Sequence, residues 1–374
     1  MGKPLLSVVV PTKDRYKYLK HLIRLIQSYN SDEWEIVVQD NTDDNTEILE
    51  FLDNLNYSGC KYFHEKGQIP MTTNADKAIL HSEGEYVCFL GDDDGVCSNA
   101  LDYCRLMKKK GYEALRSNLA DYNWPDAVSR FENVGGQLYM PRITKLQSVL
   151  RTIDVMDDVI KRGFVDRGKL PSVYHGIVSR KTLDRVYDRC NTFFPGQAPD
   201  ISGGFSVALT IDSFLYVDDI VTISGASKFH GGTTLGMNKQ YPEIKDMVWF
   251  RPNAENIWYP KLPKIAVGSI IWAESSIETL NAFGREDIIN SIDFETIYKH
   301  FSVYYFPIRH LVKNLTSHPM LLHFYTYIYF GKRVWNALIR RVKKVLKIRF
   351  NGVNVIPDVN NIEECVLVIS NKAS

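Results

Sequence analysis

Four short runs rich in β-branched and aromatic residues, at 5–10, 34–39, 60–63 and 86–90, recur along the N-terminal part of the chain, with helical patterns between them. In the stretch 16–29, Leu19, Leu22, Ile23 and Ile26 have the spacing of a helix with one buried face. Further helices are expected over 46–55, 71–81 and 99–109, the last with Ser98 as N-cap. Strands alternating with helices of this length imply βαβ units and a mostly parallel central sheet flanked by helices, an α/β fold. In open sheets of this kind ligands bind beyond the carboxyl ends of the strands. The polar segments at those ends are therefore where chemistry is to be sought.

The exit of the fourth run is Gly91-Asp92-Asp93-Asp94-Gly95. Adjacent carboxylates raise one another's pKa unless a cation lies between them, and hard oxygen ligands favour Mg²⁺ or Mn²⁺. An ion held by two or three side chains keeps open positions that suit a departing diphosphate. The exits of the first two strands, Pro11-Thr12-Lys13-Asp14-Arg15 and Gln39-Asp40-Asn41-Thr42, belong at the same end of the sheet. Asp40 could accept a hydrogen bond from N3–H of uracil or thymine, and Thr12 could meet ribose or phosphate. Read singly, Asp14 is equally a helix N-cap and Asp40 an ordinary loop residue. Neither G-x-G-x-x-G nor a P-loop follows the first strand, which disfavours a nicotinamide fold and a P-loop NTPase.

With 374 residues, 45% hydrophobic and 24% charged, the chain can bury a full core as one elaborated domain or two. A net charge of +1 argues against nucleic acid as a partner. The six cysteines form no CxxC pair, which suits a reducing compartment, and Cys97 and Cys104 are expected to be packing residues. The apolar run 5–10 is too short for a signal peptide, and Lys13, Asp14 and Arg15 follow it. With no 18-residue apolar span either, the expectation is a cytoplasmic protein that rests on a membrane without crossing it.

The segments Ser7-Val8-Val9-Val10-Pro11-Thr12-Lys13-Asp14-Arg15, Glu35-Ile36-Val37-Val38-Gln39-Asp40-Asn41 and Gly84 through Asp94 resemble, in order and spacing, the signature segments of family 2 glycosyltransferases with the GT-A fold. The resemblance covers about 4–230 and is strongest over the first 100 residues. It implies a Rossmann-like sheet, a nucleotide-diphosphate sugar donor, Mn²⁺ or Mg²⁺ at a DXD-type motif, and a later carboxylate acting as general base with inversion at the anomeric carbon. Carried over by position, it implies that Pro11, Thr12, Asp14, Arg15, Asp40, Asn74, Asp92 and Asp93 bind the nucleotide sugar, with Asp40 at the base. Asp92, Asp93 and Asp94 would hold the metal, and His230, in the Gly-rich loop 224–234, would reach the metal or diphosphate. Two positions depart from the family pattern: Thr73 precedes Asn74 where many relatives have Arg, and Gly91 stands where many have Asp. Lys66 or Lys77 could replace the lost diphosphate contact.

A glycosyl transfer needs a separate carboxylate to take the acceptor proton, and the family keeps it near the place of Pro199-Asp200 here. Asp200 is the expected base, contributing on the order of 10²- to 10⁴-fold, with an N-cap role for the helix 202–210 as the competing reading. Asp154, Asp157 and Asp158 are weaker candidates on a surface helix. Tyr174 and His175, on an expected strand 172–178, would face the acceptor. Residues 121–139 show no clean period and read as connecting loops, whereas 214–217 and 220–223 read as strands.

The expected division is a GT-A catalytic domain over 1–235 and a mainly helical C-terminal region over 236–374. The latter ends in a basic amphipathic helix at about 332–350, suited to an anionic membrane surface. The function expected from the resemblance is transfer of a sugar from a UDP- or dTDP-linked donor to a glycan acceptor in bacterial surface-polysaccharide assembly. That acceptor could be carried on a polyprenyl diphosphate, which would place the enzyme on the inner face of the membrane. The alternatives are a sugar nucleotidyltransferase, which usually opens with a Gly-rich loop that Pro11–Arg15 lacks, and a catalytically inactive domain that binds nucleotide or glycan.

Overall fold

The computed structural model describes residues 3–128, 134–228, 241–345 and 353–373. The N-terminal half follows the expected alternation: β1 Leu6–Thr12, α1 Tyr16–Ser28, β2 Trp34–Asp40, α2 Thr46–Leu55, β3 Cys60–His64, α3 Met71–Leu80, β4 Tyr86–Phe89, β5 Gly95–Val96 and α4 Ala100–Lys110. The remaining strands are β6 Ala114–Asn123, β7 Gln137–Pro141, β8 Gln147–Arg151, β9 Gly176–Ser179, β10 Ser213–Ala226 and β11 Val353–Ile356. Helices α5 Thr152–Lys161, α6 Arg180–Cys190 and α7 Pro199–Ala208 lie among them.

All these strands join one sheet with the path β11-β7-β6-β9-β4-β1-β2-β3, and β10 pairs with β5, β6 and β8. Its heart is parallel: β1 pairs with both β2 and β4, and β2 with β3. Strands β1, β2 and β4 are buried on both faces, which is why their centres read as continuous apolar stretches without alternation. One face packs on α1 and α4 through Leu19, Leu22, Ile23, Cys104 and Met107. The other packs on α3, α6 and α7 through Ala75, Ile79, Leu183 and Val207. A separate apolar core joins α5 and α7 to the helices at 254–322, with Phe164, Phe205, Ile270, Phe301 and Val312 at its centre.

Several local expectations are corrected. Residues 121–123 and 137–139 are paired strand, not loop, because β6 and β7 meet across the intervening segment. The stretch 172–175 is not continuous strand: Tyr174 makes a single bridge to Phe89, His175 turns with φ +57, and β9 starts only at Gly176. The two strands expected at 214–217 and 220–223 are one strand, β10, with register shifts near Ile220. Asn99, not Ser98, occupies the N-cap of α4, and no side chain caps it. Cys97 and Cys104 are buried, as packing residues should be. The chain's final segment returns to the N-terminal sheet, β11 alongside β7, and Val359, Ile362, Cys365 and Ile369 join the core under α1 and α4. Gly95 makes room for that return, since a Cβ there would lie 2.4 Å from Ile362 Cγ1.

Candidate active site

The parallel register sets Thr12 beside Asp40, and the Leu90 amide donates to the Val9 carbonyl, so the exits of β1, β2 and β4 converge. The Thr12 hydroxyl donates to Asp92 Oδ2 at 2.7 Å. Arg15 bridges two carboxylates, with Nη1 3.0 Å from Asp92 Oδ1 and Nη2 2.5 Å from Asp93 Oδ2. The Asp14 amide donates to Thr42 Oγ1 at 2.8 Å, and Lys13 Nζ to the Asn41 carbonyl at 3.0 Å. Asp14 itself sits at φ +57, as does His175; left-handed non-glycine residues are held there only by their surroundings. An open cleft of about 570 Å³ next to this junction is lined by Asp14, Arg15, Thr42, Asp44 and Lys228, among others.

Charge balance in the cluster is divided. Burial pushes the Asp92 carboxyl up, to about 7, against the opposing pull of Arg15. Burial acts to lower the Arg15 guanidinium, but Asp92 and Asp93 outweigh it and hold it above its ordinary value. Ser227 donates its hydroxyl to Asp93 Oδ2 at 2.8 Å, and the Trp124 indole donates to the Asp93 carbonyl. Asp94 belongs to another set of contacts. Its Oδ1 accepts from the Gly225 amide and its Oδ2 from the Gly91 amide, with His175 Nε2 3.2 Å from Oδ2. Gly225 must be glycine for this approach, because a Cβ there would fall 1.7 Å from the Asp93 carbonyl oxygen.

Asp92 and Asp93 suit a hard divalent ion. Asp92 Oδ1 is buried with the Arg15 ion pair as its contact, and it converges with Asp93 on that single cationic group. Asp94 does not join that pair, and among the described residues no group of three or more His, Cys, Asp or Glu forms a ready-made cage. His230 lies outside the described residues.

Other expected residues are placed as follows. Asp40 is fully buried; Oδ2 accepts from the Tyr16 and Tyr62 hydroxyls, both at 2.6 Å, and Oδ1 from the Thr42 amide. Burial and Asp40 together push both tyrosine hydroxyls well above their usual range, so they remain protonated donors. Three of the four acceptor positions of Asp40 are thus taken, leaving one on Oδ1. Pro11 pairs with Gln39 in the sheet, and the Asn74 amide ties α3 to the Gln39 carbonyl and to Asn41 Oδ1. Lys77 is paired with Glu65. Asp154, Asp157 and Asp158 are exposed on α5.

Asp200 is half-buried in the first turn of α7, where Ala198 is the N-cap, and its Oδ1 accepts from the Ile201 amide. Its carbonyl accepts from Ser172 Oγ, which in turn accepts from the Tyr174 amide. The Tyr174 hydroxyl lies 3.3 Å from Asp94 Oδ2. Burial first, then Asp94, Asp93 and Asp200, hold its pKa well above the usual value, so Asp200 and the β4 carboxylates act on the same ring.

The loop that carries Asp200 is supported from outside the sheet. The helix Gly268–Ala282 presents Ser275 Oγ to the Ala198 amide and Thr279 to Ser202, while Glu278 accepts from Gln197 and pairs with Arg251. Nothing local in the sequence announces these supports, because they lie more than 50 residues from the loop in the chain.

Fold and site together define an α/β protein whose strand exits bring carboxylates and an arginine into one crevice. Residues 7–110 match the family model Glycosyl transferase family 2. The GalNAc(5)-diNAcBac-PP-undecaprenol beta-1,3-glucosyltransferase of Campylobacter jejuni is 31% identical over 118 residues, which are 31% of this chain and 38% of that protein. The match thus spans well under half of the relative's length. Among solved structures, S. aureus TarS 1-349 in complex with UDP-GlcNAc is similar at 16% identity and a TM-score of 0.45, covering 86% of this chain and 87% of that chain. A further TarS structure matches at 15% identity and a TM-score of 0.43, over 86% and 52% of the two chains.

Proposed function

We propose that the protein is an inverting glycosyltransferase that moves a sugar from a UDP- or dTDP-linked donor to a hydroxyl of a glycan acceptor in surface-polysaccharide assembly. The convergence of Thr12, Arg15, Asp92 and Asp93 in one crevice, with Asp200 joined through Ser172 to Tyr174, whose hydroxyl lies 3.3 Å from Asp94 Oδ2, carries this reading. Thr12 and Arg15 orient the nucleotide end, and Asp200 takes the acceptor proton as the sugar carbon is attacked. Mn²⁺ or Mg²⁺ held by Asp92 and Asp93 would supply neutralisation of the leaving diphosphate.

The C. jejuni relative acts, by its name, on a glycan attached to undecaprenol through PP, which supports a polyprenyl-diphosphate-linked acceptor for this chain as well. No helix among the described residues is long and apolar enough to cross a membrane. The helix Pro319–Val345 instead turns Met320, Leu321, Phe324, Ile328 and Trp335 outward, exposed, while Leu322 and Thr326 pack on the body. Lys332 and Arg333 follow on the same helix. An apolar stripe flanked by cations fits the headgroup layer of an anionic membrane. That stripe begins at 320, upstream of the expected 332–350, of which 346–350 lie outside the described residues.

The test is a thermal-shift screen of UDP-, dTDP- and GDP-sugars with and without Mn²⁺, followed by Asp200→Asn. A ligand present at 100 times its Kd stabilises the fold by about 2.7 kcal/mol. Asp200→Asn is expected to keep that donor-dependent shift and lose roughly 10²- to 10⁴-fold in turnover. Full turnover in Asp200→Asn removes the residue from the mechanism.

A further inference from the structure

Across β9 from the carboxylates lies a group of cations that the chain leaves unbalanced. Arg116, on β6, is 8% exposed, and its polar contact is Nη1 to the Tyr174 carbonyl at 3.5 Å. Burial, and then the neighbouring Arg167, lower its pKa to about 9. The Arg167 guanidinium lies 5.4 Å from the Tyr174 ring centroid, and its Nη1 is buried without a hydrogen-bond partner. Lys169 Nζ sits 4.1 Å from the ring centroid of Tyr216, which is the β10 partner of Arg116.

The acids nearby offset this group only at a distance, without an ion pair. Asp121 feels Arg167 and His175, Asp94 and Asp200 act on Tyr174, and Asp218 acts on Tyr216. Among the described residues, none of these carboxylates forms an ion pair with Arg116, Arg167 or Lys169. Burying one unpaired guanidinium is costly, and a second one beside it adds repulsion. An anion placed between them reverses both terms, and arginine's planar fork suits a phosphate or carboxylate.

The location separates this group from the nucleotide side. In the order β6-β9-β4-β1, the strand of Arg116 is three spacings from the strand of Thr12, roughly 14 Å at about 4.8 Å per strand. Arg116 is nevertheless level with the end of β4: it pairs with Gly176, and the preceding His175 amide donates to the Phe89 carbonyl. We propose that Arg116, Arg167 and Lys169 form a subsite for a phosphate or carboxylate group of the acceptor, placed beside Tyr174 so that the acceptor's hydroxyl comes to Asp200. The word acceptor rests on the transferase reading; the anion site does not.

Inorganic phosphate and glucuronate are titrated into the full chain by calorimetry, with Arg167→Gln, Arg116→Met, Lys13→Gln and Asp200→Asn as variants. Phosphate, glucuronate or both should bind, with affinity at least tenfold weaker in Arg167→Gln and unchanged in Lys13→Gln and Asp200→Asn. The stronger of the two identifies the acceptor's anionic group. Arg116→Met, relieved of a buried charge, should melt higher than wild type in anion-free buffer and lose the anion-induced rise in Tm. Binding that is indifferent to Arg167→Gln, or that weakens with Lys13→Gln and so belongs to the nucleotide side, overturns the proposal and leaves the Asp200 reading untouched. Anion binding that depends on Arg167 supports the subsite even where Asp200→Asn keeps full turnover, so the two readings fail separately.

Discussion

Glu274 offers a quantitative check on the helix that supports the Asp200 loop. It is 2% exposed on the helix Gly268–Ala282, and its Oε2 accepts from the Tyr259 amide at 2.9 Å. Burial, with a smaller push from Glu278, raises its pKa from 4.5 to about 8. In the unfolded chain the carboxyl ionises near its ordinary value, so between about pH 4.5 and 8 the folded state holds a proton that the unfolded state has released. Stability therefore falls as pH rises through that window and levels off above it. At about 1.4 kcal/mol per pKa unit the ceiling is roughly 5 kcal/mol, and relaxation of the surroundings brings the expected loss to about 2–4 kcal/mol. Gln is nearly isosteric, keeps an acceptor for the Tyr259 amide and never ionises. Urea midpoints for wild type and Glu274→Gln should nearly coincide at pH 5, whereas at pH 8.5 the variant should be the more stable by that margin. Asp76, raised to about 6 by burial, titrates in both proteins and cancels in the difference. Parallel pH profiles for the two proteins would refute the reasoning.

Arg15→Gln leaves Asp92 and Asp93 without their cation, and breaking a buried pair in this way costs about 3–5 kcal/mol, read as a lowered Tm. Mn²⁺ should then raise Tm more in Arg15→Gln than in wild type; an equal or smaller rise means the ion does not take the place of the guanidinium. Gly225→Ala should destabilise by more than 1 kcal/mol and weaken donor binding, since the new methyl displaces the Asp93 backbone; a normal urea midpoint contradicts that packing. Replacing the exposed Phe324, Ile328 and Trp335 by Ser should leave Tm within about 1 °C of wild type and abolish sedimentation with phosphatidylglycerol vesicles. Unchanged sedimentation removes the helix from membrane binding.

How legible the molecule was depends on where each element finds its partners. β1, β2, β4 and α1 were readable to within a residue or two because each is a local pattern: Val8, Val9 and Val10 are buried on both faces, and Leu19, Leu22 and Ile23 line one helix face. β6 was missed, since Arg116, Ser117 and Asn118 interrupt its apolar run and are accommodated by contacts from β9 and β10, and its end at 121–123 was expected as loop. No local rule predicts β11, whose pairing joins Val353 to Pro141 across the length of the chain. His175 was misread for a different reason. The apolar pattern continues through it, but its backbone turns left-handed, held by the Phe89 carbonyl in front and by a buried ring whose Nε2 lies 3.2 Å from Asp94 Oδ2. Strain of that kind arises from tertiary structure, which spacing does not record.

The same distinction governs the acidic cluster. Three consecutive carboxylates behind a buried strand imply that positive charge must be supplied, and the structure supplies it in two ways. Asp94 is stabilised by the backbone amides of Gly91 and Gly225, fixed dipoles that cannot leave. Asp92 and Asp93 share Arg15, a side chain that can. A divalent ion entering this crevice therefore replaces a guanidinium already in place, and its apparent affinity is the difference between two cations competing for the same oxygens. Released from that pairing, Arg15 remains beside the cleft that opens between Asp14, Thr42 and Lys228, where an incoming diphosphate would give it a new anion. Metal and donor should accordingly bind with positive coupling: the ion frees the arginine, and the donor gives it a partner. Isothermal titration of Mn²⁺ with and without a saturating donor nucleotide measures that coupling, and independent affinities would show that Arg15 does not link the two.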